Sequence, residues 1–209
     1  METVREHFRR KAFSFDHLYE EDRRLQRLVR PGLFARREFA LGVVRSYPSP
    51  RVLDVGCGSG RVGQHVLESG AVEYVGVDFS EPMLDLAESR LAPFGSRVRL
   101  VCGDFLEAEL DGPFDVVLAL GFFDYTREPH VFVRRIREVC SGSFAGSFPR
   151  WSWLKGPVRK LRYEVLNNCP IFNYTEPGLR TMFETAGFPH AEIVHRGRTG
   201  YLVRADASP

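Results

Sequence analysis

The stretch Val52-Leu53-Asp54-Val55-Gly56-Cys57-Gly58-Ser59-Gly60 runs from an apolar segment into a turn with glycine at every second position, and a helical pattern follows over Gly60–Ser69. Together these form a strand, a loop and a helix in succession. Glycine lets the backbone turn with positive φ and lets a ligand come close to it. The helix N-terminus behind such a turn offers N–H groups to polar atoms. Two readings of the loop compete. Gly58-Ser59-Gly60-Arg61-Val62-Gly63 has the form G-x-G-x-x-G, and Asp78 follows about 20 residues on, as a dinucleotide-binding unit requires. Against this, the turn already begins at Gly56, and Asp54 stands inside the strand. A buried carboxylate is costly unless it is hydrogen-bonded or faces a cation, and an anionic pyrophosphate is a poor neighbour for it. A cationic ligand reverses that argument.

Outward from the loop, short apolar runs at Val52–Val55, Tyr74–Asp78, Val98–Cys102 and Phe114–Leu120 read as strands buried on both faces. Helical patterns at Gly60–Ser69 and Ser80–Leu91 separate the first three. A helix near Pro129–Val139 and a fifth strand near Ser143–Phe148 come next, then a helix near Glu176–Ala186 closed by Gly187. Ala191–Arg196 and Thr199–Arg204 are joined too closely for a parallel crossover, so they pair antiparallel. Strands alternating with helices predict an α/β, doubly wound, mostly parallel sheet with right-handed crossovers. Before it, Leu18, Leu25, Leu28 and Val29 recur at helical spacing, Pro31-Gly32 interrupts them, and Leu33–Tyr47 resumes the helix.

Asp54 to Gly60 carries an acid followed by three alternate glycines, and the chain continues through Tyr74-Val75-Gly76-Val77-Asp78-Phe79-Ser80, Cys102-Gly103-Asp104-Phe105 and Phe114-Asp115-Val116-Val117-Leu118-Ala119-Leu120. In these motifs, and in Thr185-Ala186-Gly187-Phe188, the sequence resembles the class I S-adenosylmethionine-dependent methyltransferases. The resemblance implies a single Rossmann-like domain of seven strands with the last inserted antiparallel. It divides into a helical lid over 1–50, a cofactor-binding core over 51–148, an insertion over 149–174 and a closing helix and strand pair over 175–209. It also implies S-adenosylmethionine as cofactor and S-adenosylhomocysteine as product. Asp78 would accept from both ribose hydroxyls and Asp104 from the adenine amino group, with the Phe105 N–H on the ring and Phe79 against the purine face. The Gly56 and Leu120 carbonyls would take the methionine ammonium, with Asp54 bracing the loop or adding negative potential. Gly58, Gly60, Met83 and Tyr19 complete the expected cofactor contacts. Taken singly, Asp78 and Asp104 read as turn or helix caps and Phe79 as core; the two acids together, in register with the loop, favour the ligand. Cys57 reads as a small filler, with no base nearby.

The 209 residues are 44% hydrophobic and 27% charged, which suits one well-buried core and argues against disorder or a disulfide scaffold. No apolar stretch approaches the roughly 18–20 residues of a membrane span. The opening METVREHFRRKAF lacks a signal-peptide h-region, and four cysteines stand apart without a C-x-x-C pair. A reducing cytoplasm and no bound metal are the expectation. The net charge of +2 conceals a segregation. Residues 1–51 carry 12 Lys+Arg against 7 Asp+Glu, residues 52–125 carry 4 against 13, and residues 126–209 carry 13 against 7. The acidic middle suits a ligand with ammonium and sulfonium charges, and the basic flanks an anionic acceptor.

Methyl transfer needs an aligned nucleophile, exclusion of water and, for an alcohol or amine, a base. Candidate bases are His17, Asp124, Tyr125 and His130, with His17 and Tyr19 on the lid. Gly121-Phe122-Phe123-Asp124-Tyr125 replaces the Asn-Pro-Pro-Tyr of methyltransferases that act on base amines or glutamine. Phe123, Arg150, Trp151, Trp153, Tyr163 and Tyr174 are the candidate acceptor contacts; interleaved aromatics and arginines fit an aromatic acid or single-stranded RNA, or simply packing. The architecture looks like that of bacterial small-molecule methyltransferases, distantly including those methylating porphyrin carboxylates. A small-molecule partner is therefore expected ahead of RNA or protein, of an inactive cofactor-binding module, and of an oxidoreductase. The sequence leaves the oligomeric state open.

Overall fold

The computed structural model describes residues 31–151, 172–197 and 200–208. The helical run through Leu18, Leu25, Leu28 and Val29 lies outside them, as do His17, Tyr19, Trp153 and Tyr163. The first helix among the described residues, α1, spans Pro31–Val44 and leads into β1 (Arg51–Val55). The first residue of α1 is Pro31, a position that needs no N–H bond, and the run that Pro31-Gly32 is read as interrupting lies outside the described residues. There follow α2 (Arg61–Glu68), β2 (Glu73–Asp78), α3 (Glu81–Leu91), a 3₁₀ segment Ala92–Arg97 and β3 (Val98–Cys102). After β4 (Phe114–Ala119) come α4 (Pro129–Val139) and β5 (Cys140–Pro149), then α5 (Glu176–Thr185), β6 (His190–Arg196) and β7 (Gly200–Asp206).

The strands form one sheet in the order β3-β2-β1-β4-β5-β7-β6. β1 to β5 pair in parallel, and β7 lies antiparallel between β5 and β6. This is the doubly wound, mostly parallel sheet that the alternation predicts. Two apolar layers cover it. On one face Leu53, Val55, Val75, Val77, Val117 and Ala119 meet α4 and α5 through Phe132, Ile136, Leu179 and Phe183. On the other, Val52, Tyr74, Val116 and Leu118 meet α1, α2 and α3 through Val44, Val66 and Leu91. Each fully buried side chain of this kind contributes about 1.5–3 kcal/mol. The central strands thus have the two-sided burial expected of them. β3 does not: Val98–Val101 are half-buried and Cys102 is exposed, because β3 forms the margin of the sheet.

Helices cross to opposite faces on either side of the β1–β4 pair. The carboxyl ends of those two strands therefore diverge into a crevice, the usual ligand position in such sheets. No helix among the described residues is long and apolar enough to cross a membrane.

Candidate active site

The glycine loop opens at the carboxyl end of β1, and each of its glycines answers a different demand. All three have positive φ: 74° at Gly56, 53° at Gly58 and 72° at Gly60. A Cβ on Gly56 would stand 2.9 Å from the Phe122 ring, so the loop can pass beneath that side chain. A Cβ on Gly60 would press on Ala87 and Leu91 at 3.1 Å, so this glycine lets α2 start against α3. At Gly58 nothing lies within 4 Å of the Cβ position, and the backbone there faces open space. The Val77 carbonyl ties the loop to β2 by accepting from Gly56 N at 2.8 Å.

Asp78 ends β2 beside this open backbone. Its Oδ2 accepts from Gly58 N at 2.8 Å and its Oδ1 from Ser80 N at 2.9 Å. Burial raises its pKa, and these N–H bonds work against the rise. Asp78 is thus a cap on the loop as well as a carboxylate at the crevice. Asp54 lies beneath, buried to 3% exposure, where Tyr74 donates to its Oδ2 at 2.9 Å. Cys57 is buried too, and its thiol is pushed well above the usual range by burial and by the nearby Asp54 and Asp78. That thiol stays protonated, as a filler would.

Around the loop, Met83 is buried on α3 and Phe79 and Leu120 are half-buried. Asp104 follows β3 and caps a turn, its Oδ1 accepting from Leu106 N at 3.0 Å. The Phe105 side chain belongs to the core and stacks on Phe132 at 6.5 Å. Asp54, Gly56, Gly58, Gly60 and Asp78 are therefore brought together, with Asp104 at the end of the marginal strand.

Beyond β4 the arrangement departs from expectation. Phe123, expected to face the acceptor, has no exposed surface and stacks on Phe148 at 4.4 Å in the core. Its neighbour Phe122, which the sequence reading passed over, lies against Gly56. Asp124 is also buried, and Arg36 of α1 reaches its Oδ2 at 3.4 Å. The same guanidinium sits 3.3 Å from the Cβ position of Gly121, whose N–H donates to Ser147 Oγ at 2.8 Å. Asp124 is therefore the counter-ion of Arg36 before it is anything else. Tyr125 is half-buried within the same turn, and His130 is exposed at the start of α4. Removing the cation in Arg36→Met leaves a buried carboxylate short of its partner, a loss of about 1–3 kcal/mol. Urea unfolding is expected to show that loss, and Arg36→Met with Asp124→Asn is expected to recover most of it.

Of the proposed insertion, residues at its two ends are described. Trp151 is 40% exposed, and Arg150 lies over the Tyr201 ring at 5.8 Å. Tyr174 packs edge-on against Phe148 and donates to the Phe123 carbonyl at 3.1 Å, tying the segment to the turn after β4. Burial, with the nearby Asp124 adding to it, pushes its hydroxyl well above the usual phenol range, so it remains a donor. Tyr174 accordingly packs the structure together. Elsewhere, His190, Ala191, Glu192, Arg204 and Asp206 line an open hollow of about 380 Å³. It lies at the amino ends of the parallel strands, opposite the glycine loop. No cluster of metal-binding side chains occurs among the described residues.

Sheet order, crevice and glycine loop define a doubly wound, Rossmann-like domain whose site lies where the winding reverses. Residues 52–142 match the family described as "Methyltransferase domain", and in this segment the chain is similar to the class I S-adenosylmethionine-dependent methyltransferases. Two curated relatives agree. A ubiquinone biosynthesis O-methyltransferase of Bordetella avium is 31% identical over 101 residues, 47% of this chain and 42% of that protein. Ajmaline N-methyltransferase of Rauvolfia serpentina is 31% identical over 96 residues, 44% of this chain and 33% of that protein. The chain thus spans less than half the length of these relatives. Magnesium protoporphyrin IX methyltransferase from Synechocystis PCC 6803, solved with bound SAH, superposes with a TM-score of 0.76 at 18% identity. That match covers 97% of both chains and bears on the fold.

Proposed function

We propose that the chain transfers the methyl group of S-adenosylmethionine to an O, N or carboxylate atom of a small anionic or aromatic metabolite. The observation that carries this reading is the placement of Asp78 beside the open backbone of Gly58, with a second carboxylate, Asp54, beneath the loop. The donor and acceptor set fits the cofactor. Asp78 Oδ2 accepts from Gly58 N and Oδ1 from Ser80 N, and a carboxylate with about four lone-pair sites retains acceptor capacity for ribose hydroxyls. Asp104 and the Phe105 N–H stand at the end of β3 for the base, and the Gly56 and Leu120 carbonyls for an ammonium. S-adenosylmethionine, when bound, supplies an electrophilic methyl group on a sulfonium.

The chain's own residues then have to orient the acceptor and exclude water. Phe122 lies on Gly56, and the Arg36–Asp124 pair ties α1 to the turn after β4. Tyr125 and His130 remain as candidate bases on the described part of the chain, with His17 and Asp124 as further candidates. The names of the relatives, covering O- and N-methylation, support a small acceptor. The basic flanks around an acidic middle support an anionic one.

Calorimetry with S-adenosylmethionine, S-adenosylhomocysteine and NAD tests the cofactor. Binding of the first two without NAD is expected, and binding of NAD alone overturns the reading. A metabolite extract incubated with labelled methyl donor, followed by mass spectrometry, then identifies the acceptor. Label recovered only in RNA or protein would exclude the small-molecule class.

A further inference from the structure

Asp54 and Tyr74 lie on adjacent strands, on the face of the sheet that α2 covers. Tyr74 has no exposed surface, and its hydroxyl donates to Asp54 Oδ2 at 2.9 Å. The tyrosine fits there because α2 gives way above it. A Cβ on Gly63 would stand 2.5 Å from Tyr74 Cζ and 2.7 Å from its Oη. The ring is thus wedged between the sheet and the first turn of α2, and the glycine loop is the segment that joins β1 to that turn.

Asp54 faces Tyr74 and Asp78 from β2 and Cys57 from the loop. In register beside it, β2 contributes Gly76 and β4 contributes Leu118. None of these groups is a cation. A buried carboxylate with one strong donor, a second carboxylate nearby and no cation among these neighbours is prepared for a positive charge brought by a ligand.

We propose that Tyr74 is the positioning residue of this site: it holds the Asp54 carboxylate beneath the glycine loop for the cationic end of the cofactor. The inference rests on the methyltransferase reading. Burial pushes the Asp54 carboxyl up to about 7; the Tyr74 bond opposes that rise and Asp78 adds to it. Proton and ligand cation therefore compete for Asp54, and the cation gains as pH rises through about 7. Burial holds the Tyr74 hydroxyl well above its ordinary range, so it donates throughout. Without that donor the carboxyl is harder to ionise, and the competition shifts to higher pH.

Calorimetry of the full chain with S-adenosylmethionine and with 5′-methylthioadenosine, which lacks both cationic groups, separates this role from packing. The ratio of the two affinities is expected to rise about fivefold from about pH 6 to about pH 7.5, above which the ligand's own α-ammonium (ordinarily about 7.7–8.0) loses its proton. In Tyr74→Phe the rise moves to higher pH, and in Asp54→Asn it disappears. Gly63→Ala, which forces the hydroxyl off Asp54 without removing it, moves the profile the same way and serves where Tyr74→Phe does not fold. A parallel loss of both ligands at every pH in Tyr74→Phe overturns the proposal, as does a flat ratio in the wild type. A wild type that binds neither ligand overturns the methyltransferase reading itself.

Discussion

Asp78→Ala is expected to weaken S-adenosylmethionine binding by roughly two to four orders of magnitude, because in the proposed site it removes the acceptors for two ribose hydroxyls and each hydrogen bond to a charged group is worth about 1.5–3 kcal/mol. The same substitution frees Gly58 N and Ser80 N, which the carboxylate holds at 2.8 and 2.9 Å, so the loop also loses the cap that sets its shape. Both consequences fall on the ligand. Stability is expected to change much less, since burial already works against the ionised form of Asp78 and so offsets the two bonds. Asp78→Asn separates the parts. It keeps one acceptor oxygen but replaces the other with a donor, and is expected to bind between wild type and Asp78→Ala. Calorimetry and thermal unfolding of the three proteins check this. Unchanged binding in Asp78→Ala would leave Asp78 as a loop cap alone and remove the ribose from its role.

The parts of the site readable from sequence are those that depend on neighbours along the chain. An acid, three alternate glycines and a helical pattern name a loop, and an acid at the end of the next apolar run places Asp78 beside it. The central strands were readable for the same reason, as unbroken apolar runs. What sequence could not supply is pairing across the fold. Arg36 meets Asp124 across 88 positions, and nothing local announces that contact. The exposure of β3 follows from its marginal place in the strand order, which the apolar run Val98–Cys102 does not encode. Tyr74 read as one more apolar strand residue. The signal that something polar lies beneath α2 was Gly63, a glycine inside a helix that needs none for turning, which marks a close approach. In the turn after β4 no period of two or 3.6 applies, so adjacent phenylalanines carry no indication of which one enters the core.

That ambiguity between Phe122 and Phe123 has the second large consequence. Phe123→Ala is expected to destabilise the chain by about 3–5 kcal/mol, since the ring is fully buried and its removal leaves a cavity as well as lost transfer energy. Its ring stacks on Phe148 at 4.4 Å and meets Phe122, Phe144 and Tyr174 edge-on at 5.3, 6.4 and 6.5 Å. Such rings cannot close around the gap without giving up their own contacts, which keeps the cost near the upper part of the range. For a chain of this size the midpoint of thermal unfolding should fall by roughly 6–20 °C. Phe122→Ala is expected to cost less stability, because that ring is half-buried, and to open the space over Gly56 instead. Its effect should therefore appear in acceptor or cofactor affinity. Differential scanning calorimetry paired with ligand titration distinguishes the two residues. If Phe123→Ala melted with the wild type and only acceptor affinity fell, Phe123 would face the crevice, and the packing of the turn after β4 would have to be inverted.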